Sequence, residues 1–332
     1  MTIFSHTASF FRSLCPHACR TVFLSRYAPI MTEKLRTLNG CKCSTIEING
    51  LLLPQLTLSN GIILVGYPST TKERELFKGL FEKIGLMESH ISLCIDYFTR
   101  FKHPHMAVGF DEINGSTKKR RFFHPQHYNL AQECSTFSAE LKKTIRKKFT
   151  FEKDWIVVDV GAYLGYGSLW AASRLSNGRV LSVEAVEENF VIADSIRQFN
   201  SKDNWTLLNA AIWHTADEVV EISRTDRQAN AIDRSVVKGG VTQQVKTTSI
   251  PALTEICGKS IDLLSLTVNG AELEAIEGMN ALKKNELPKR VLTPGWYKKD
   301  GVVRADMIEP LLSDMGYVIA RTPGNFIYAW IN

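Results

Sequence analysis

The sequence lacks any apolar run of about 18 residues, the minimum for a membrane-spanning helix, and so predicts no membrane span. It also lacks internal repeats and low-complexity tracts, which argues against a solenoid or a composition-driven disordered chain. A Cys-x-x-Cys pair is missing. The seven cysteines (Cys15, Cys19, Cys41, Cys43, Cys94, Cys134 and Cys257) are odd in number and irregularly spaced. That pattern suits neither a disulfide framework nor a zinc knuckle and reads as free thiols in a reducing, cytoplasmic setting. Acidic residues are absent from the first 32 positions, which carry Arg12, Arg20 and Arg26 among serines and apolar residues such as Phe10, Phe11 and Phe23. This composition fits an organellar transit segment; the continuous apolar stretch of a secretory signal is missing. A disordered tail, or a start at Met31, explains the same residues. No feature specifies an oligomeric state.

What is present is ordinary in bulk. The chain has 332 residues, 44% apolar and 22% charged, enough to bury a full core without disulfide or metal staples. The net charge of +6 is concentrated: residues 100–150 hold eleven Lys/Arg against four acids, a net of +7. Such a window predicts either a solvated face or a surface for phosphate, nucleic acid or an acidic partner. His103, His105, His124 and His127 lie within it, but without accompanying cysteines or a helical register, so no metal site is expected.

Local pattern divides the chain into a tail or targeting segment (1–34), an accessory α+β region (35–149) and an α/β domain (150–332). Asn49-Gly50 and Asn60-Gly61 predict turns between short strands at 46–48, 51–53 and 62–65. Residues 71–86 and 136–148 read as helices, and 114–121 as a basic loop. From Trp155 onward, apolar runs alternate with helical segments. Strands are expected at 156–160, 180–184, 205–208, 219–222, 261–268 and 290–292, and helices at 168–175, 187–199, 272–281 and 305–315. Residues 317–320 and 326–330 flank Pro323-Gly324 as a final hairpin. Alternation of this kind predicts a mostly parallel, Rossmann-like sheet with helices on both faces, carrying a C-terminal antiparallel hairpin.

The richest stretch is Val157-Val158-Asp159-Val160-Gly161-Ala162-Tyr163-Leu164-Gly165-Tyr166-Gly167-Ser168. An apolar strand carries an acid near its end, then a glycine turn leads into a helix. Glycine permits the sharp turn and close ligand approach, and the helix start offers unpaired N–H groups to a carboxylate. The spacing, Asp-x-Gly-x-x-x-Gly, is the class I methyltransferase arrangement rather than the Gly-x-Gly-x-x-Gly of dinucleotide folds. In it the acid orients the amino-acid end of S-adenosylmethionine. The next strand ends in Ser182-Val183-Glu184-Ala185, an acid suited to ribose hydroxyls. The third leads to Asn209-Ala210-Ala211-Ile212, where small residues admit an adenine ring or serve packing.

Residues 156–190, 209–212 and the run Ile261-Asp262-Leu263-Leu264-Ser265-Leu266-Thr267-Val268-Asn269-Gly270-Ala271-Glu272 through Gly278 resemble the FkbM family of methyltransferases. The resemblance covers about 150–330. It implies a class I methyltransferase fold, S-adenosylmethionine as cofactor, and transfer to a hydroxyl oxygen of a small molecule or glycan. It implies a cofactor pocket of Asp159, Gly161, Tyr163, Gly165, Glu184, Ala185 and Ala211. Three positions depart from the family pattern. Its Asp and Glu in Asp-Val-Glu-Gly-Ala-Glu fall on Thr267 and Asn269, and its Asn in Gly-Ala-Asn-x-Gly falls on Tyr163. Of the family's acids there only Glu272 remains, so Glu272 and Asn269 are the catalytic candidates; His214, after the third strand, is a second base candidate.

Three alternatives accompany the O-methyltransferase reading. A cofactor-fold binding or scaffold protein is motivated by Thr267 and Asn269. An RNA ribose methyltransferase is motivated by the basic window, while base-amine methylation is disfavoured because no Asn/Asp-Pro-Pro-aromatic motif occurs. A nicotinamide oxidoreductase is disfavoured by the glycine spacing and Asp159.

Overall fold

The computed structural model describes residues 42–57, 63–65, 137–224 and 241–332. The expected helix over 71–86, the loop 114–121, residues 1–32 and the four histidines at 103–127 lie outside these residues. So do Cys15, Cys19, Cys41, Cys94, Cys134 and most of the basic window. The chain divides into two compact units, Met1–Arg120 and Arg121–Asn332.

In the first unit, β1 (Lys42–Ile48), β2 (Leu51–Thr57) and β3 (Ile63–Val65) pair antiparallel in that order. Asn49 and Gly50 both take positive φ, 49° and 78°. Two left-handed residues in succession match the strand twist, which is why Asn-Gly closes this hairpin, with Ile48 opposite Leu51.

The second unit begins with α1 (Ala139–Lys148), capped by the Ser138 hydroxyl, which accepts from Leu141 N. The chain then alternates: β4 (Ile156–Val160), α2 (Tyr166–Ala172), β5 (Arg179–Glu184), α3 (Glu187–Phe199) and β6 (Trp205–Asn209). A side sheet follows, in which β7 (Ala211–Ile212) and β8 (Val219–Arg224) flank β9 (Val241–Thr248). Next come α4 (Ile250–Cys257), β10 (Leu263–Leu266), α5 (Glu272–Gly278), β11 (Arg290–Pro294) and a small hairpin of β12 (Lys298–Lys299) and β13 (Val302–Val303). Helix α6 (Arg304–Asp314), β14 (Val318–Arg321) and β15 (Phe326–Trp330) complete the unit.

Seven strands form the main sheet in the order β14-β15-β11-β10-β4-β5-β6. The five from β11 to β6 are parallel, and β15 and β14 add antiparallel pairings at one edge. This is the mostly parallel sheet with a terminal hairpin that the alternation predicts. Strands covered on both faces need no polar alternate residues, and β4 and β10 are buried along their whole length. Val158, Leu264, Leu266, Ile276, Met279, Ile308, Leu312 and Ile327 belong to one core cluster.

The end of helix α1 packs against β15 and β11 of this sheet. Phe149, which follows it, sets its ring edge-on to Tyr328 and Trp330 of β15 at 5.6 and 6.3 Å, and Arg290 Nε donates to the Lys148 carbonyl. Helix α4 and strand β9 were not expected from the pattern. The helix is short, with Ser249 accepting from Ala252 N at one end and Gly258 in a left-handed cap at the other.

Leu264 lies at the centre of the sheet, fully buried. Its replacement by Ala is expected to cost about 2–5 kcal/mol of stability. Urea unfolding checks this: the midpoint should fall with an unchanged slope.

Candidate active site

From β4 the chain moves outward through β5 to β6, then returns to the other side of β4 for β10 and β11. The carboxyl ends of β4, β5, β10 and β11 therefore meet at a topological switch point, where an open α/β sheet leaves a crevice.

The turn after β4 is built by close approach. Gly161 has φ +82°, and a Cβ there would stand 1.9 Å from the Thr267 carbonyl oxygen, so no side chain fits between this turn and the exit of β10. The N–H groups of Gly161 and Ala162 donate to Val183 O at 2.9 and 3.1 Å, which draws the turn across β5. Gly165, at φ +75°, caps α2, and a Cβ there would lie 2.6 Å from the Trp205 ring. Both glycines were read as room for a ligand; protein atoms occupy the side on which their Cβ would stand. Tyr163 between them is also left-handed, at φ 54°. An Asn, the family's residue here, tolerates that conformation, whereas for a bulky residue it costs on the order of 1–3 kcal/mol.

Asp159 and Glu184 share one face of the sheet. Asp159 pairs with Ser182, and Glu184 lies two residues further along β5. Glu184 is 6% exposed. Its Oε2 accepts from Tyr163 N at 2.7 Å, and its Oε1 accepts from Val186 N at 3.0 Å and Asn189 Nδ2 at 3.1 Å. One carboxylate thus joins the turn after β4 to the turn after β5. The Asp159 carboxylate is buried too, and its Oδ2 accepts from the Ser168 hydroxyl at 2.6 Å. Ala211 is buried in a small cluster with Val186, Ile222 and Val245, against which half-buried Ala185 packs.

At the exit of β10, Asn269 and Gly270 take φ values of 54° and 116°. The fully buried Glu272 carboxylate holds this turn: Oε1 accepts from Val268 N at 3.0 Å and Oε2 from Gly270 N at 2.8 Å. Burial pushes its carboxyl above the ordinary range, opposed by these backbone N–H groups and by the Arg304 charge. Across from the turn, the Tyr297 hydroxyl donates to Asn269 Oδ1 at 3.0 Å. Burial holds the Tyr297 phenol above its usual value, the Glu272 charge adds to this, and a hydrogen bond with Trp296 opposes it. The phenol therefore stays protonated as a donor. Behind it, Glu274 bonds Lys299 and the buried Arg304, each at 2.8 Å, pinning the β12–β13 hairpin and α6 to α5.

The structure thus gathers Asp159, Gly161, Tyr163 and Glu184 at one end of the crevice and Asn269 and Glu272 at the exit of β10, with Gly161 touching both through Thr267. His214 is exposed and bonded to Thr215, with its backbone against Gly278 of α5. Sequence reasoning missed Ser168, Asn189 and Tyr297. Asn189 carried a signal, lying one turn past Glu184 at the start of a helix; Tyr297 lies 28 residues from its partner Asn269, and no local spacing links them.

Because the folded Glu272 carboxyl titrates above the ordinary value of 4.5, the folded chain binds its proton more readily than the unfolded chain. Its contribution to stability is fully present below about pH 4.5 and declines as pH rises toward the folded value. Urea stability measured from pH 4 upward should show this decline in the wild type, and Glu272→Gln should flatten it. Parallel curves would contradict the titration.

Comparison with known proteins gives one family match. The family model described as "Methyltransferase FkbM domain" matches residues 159–319. No curated protein matches the chain. Among solved structures, a precorrin-6y C5,15-methyltransferase from Geobacter metallireducens GS-15 is 17% identical, covering 59% of this chain and 90% of its own at a TM-score of 0.34. A SAM-dependent methyltransferase from Aquifex aeolicus is 12% identical, covering 62% and 100% at 0.33. A methyltransferase from Geobacter sulfurreducens is 15% identical, covering 69% and 90% at 0.33. Residues 159–319 are therefore similar to the methyltransferase FkbM domain, in a match that spans the glycine turn, Glu184 and the β10 exit.

Proposed function

We propose that the domain transfers a methyl group from S-adenosylmethionine to a hydroxyl oxygen of a small molecule or glycan. In this reading Glu184 holds the ribose and Asp159 orients the amino-acid end. The observation that carries it is the buried Glu184 carboxylate at the carboxyl end of β5, on the same face as Asp159 and bonded to the backbone of the adjacent glycine turn. Each oxygen of a carboxylate can accept more than one hydrogen bond, so Glu184 can serve a ribose hydroxyl beside its protein donors. The residues therefore fit the group. When bound, its sulfonium supplies an electrophilic methyl.

The chain's own contribution is mostly placement. Alignment of reacting atoms is worth up to about 7–11 kcal/mol. At the β10 exit, Asn269 and Tyr297 offer neutral hydrogen-bonding groups to an acceptor hydroxyl. Glu272 maintains the turn that carries Asn269, since both its oxygens serve backbone N–H groups. Ala185 and Ala211 border the nucleoside end as small neighbours.

A second reading, a cofactor-binding protein without turnover, is favoured by the same facts. Thr267 and Asn269 stand where the family has acids, and Glu272 is committed to the turn. The ribose-methylation alternative rests on the 100–150 window, most of which lies outside the described residues.

Calorimetry should show binding of S-adenosylmethionine and not of NAD. Glu184→Ala should weaken that binding at least about tenfold, the scale of lost charge-assisted hydrogen bonds; unchanged affinity removes the ribose role. Release of S-adenosylhomocysteine with a panel of phenols, polyols and glycans then separates the readings. Turnover supports the transferase, and silence with intact binding supports the second reading.

A further inference from the structure

Beneath the glycine turn runs a buried chain of hydrogen bonds that local sequence patterns do not reveal. Trp205 Nε1–H donates to Ser182 Oγ at 2.8 Å, Ser182 donates to Ser168 Oγ at 2.6 Å, and Ser168 donates to Asp159 Oδ2 at 2.6 Å. The four residues come from β6, β5, α2 and β4, and none is more than 3% exposed. The direction of the chain is set by its ends. An indole N–H can only donate and an ionised carboxylate can only accept, so each intervening hydroxyl has its single proton assigned. Neither serine can turn away without leaving a buried donor or acceptor unmatched, which is costly.

The same indole performs a second task. Its ring fills the space beside Gly165 where a Cβ would stand 2.6 Å away. One side chain on the third parallel strand therefore contacts the glycine turn directly and reaches Asp159 through two hydroxyls.

We infer that Trp205, Ser182 and Ser168 are positioning residues for Asp159: they hold its carboxylate in the orientation that receives the amino-acid end of S-adenosylmethionine. The inference rests on the reading of Asp159 given above. It assigns three residues to the cofactor site that touch no cofactor atom themselves and act through the carboxylate. Their loss penalises the amino-acid end of the ligand and spares the nucleoside end, which belongs to Glu184.

The experiment is calorimetry of the full chain with two ligands, S-adenosylmethionine and 5′-methylthioadenosine, which keeps the nucleoside and lacks the amino-acid end. Ser168→Ala should weaken S-adenosylmethionine about tenfold, the scale of one lost hydrogen bond to a charged group, and leave methylthioadenosine nearly unchanged. Trp205→Phe should act in the same direction. The double variant should be little weaker than the more affected single variant, because one relay is broken once. Equal weakening of both ligands, no weakening of either, or additive effects would overturn the relay. Since Trp205→Phe removes a large buried ring, a second readout uses smaller changes. The indole N–H resonance of Trp205 should shift on Ser182→Ala, Ser168→Ala and Asp159→Asn; a resonance that moves only with Ser182→Ala reduces Trp205 to packing and overturns the proposal. Failure of the underlying reading looks different. If Asp159→Asn leaves S-adenosylmethionine affinity unchanged, Asp159 leaves the site and the relay with it, while a loss of both ligands in Glu184→Ala would keep the ribose assignment standing.

Discussion

The bond network of the Glu184 carboxylate is the constraint on which the rest of the crevice depends. Two loops leave adjacent strands, and each brings a backbone N–H to the same buried acid, from Tyr163 on one side and Val186 on the other. A buried carboxylate is tolerated only when its charge is met by donors. Here the donors are the two loops themselves, and Asn189 at the start of α3 adds a third. The acid thereby sets the distance between the turns. Tyr163 can stay in its left-handed conformation because its N–H is held in this way, and the glycines on either side of it have no freedom to drift, being wedged against Thr267 and Trp205.

The acids of this domain are spent largely on architecture. Asp262 accepts from Ile156 N and from Lys289, joining the starts of β10 and β4 to the segment before β11. Glu272 closes the β10 exit turn, and Glu274 ties α5 to Arg304 and Lys299. Beside the exit of β10, Asn269 accepts from the protonated Tyr297 hydroxyl. Where Thr267 and Asn269 stand in place of the family's acids, Glu272 bonds the backbone N–H groups of Val268 and Gly270.

The parts of the fold legible in the sequence are those governed by local period. Strand β4, helix α3 and strand β15 have the bounds that their apolar patterns indicate, and the Asn49-Gly50 turn follows from the only conformation its two residues favour together. Helix α4 was hidden by its brevity, and β9, Val-Thr-Gln-Gln-Val-Lys-Thr-Thr, by a polar composition that reads as loop. In the crevice, the positions of Asp159 and Glu184 were legible because an acid at a strand end interrupts an apolar run. Their partners were not. Ser168, Ser182 and Trp205 align only once strands and helix are stacked, and Tyr297 reaches Asn269 from the bend between β11 and β12. Glycine posed the opposite difficulty: its spacing was visible, but whether ligand or protein fills the room beside it depends on packing that no spacing encodes.

The edge of the sheet has a consequence for assembly. β14 precedes β15 in the chain, yet β15 is the strand that pairs with β11, and within the main sheet β14 touches β15 alone. The earlier strand has nothing to join until the later one arrives. Thr322 holds the register of the two through Asn325 N and Phe326 N. Chain order and sheet order thus run opposite at this edge: the last strand of the domain lies inside the sheet, and the strand before it forms the border.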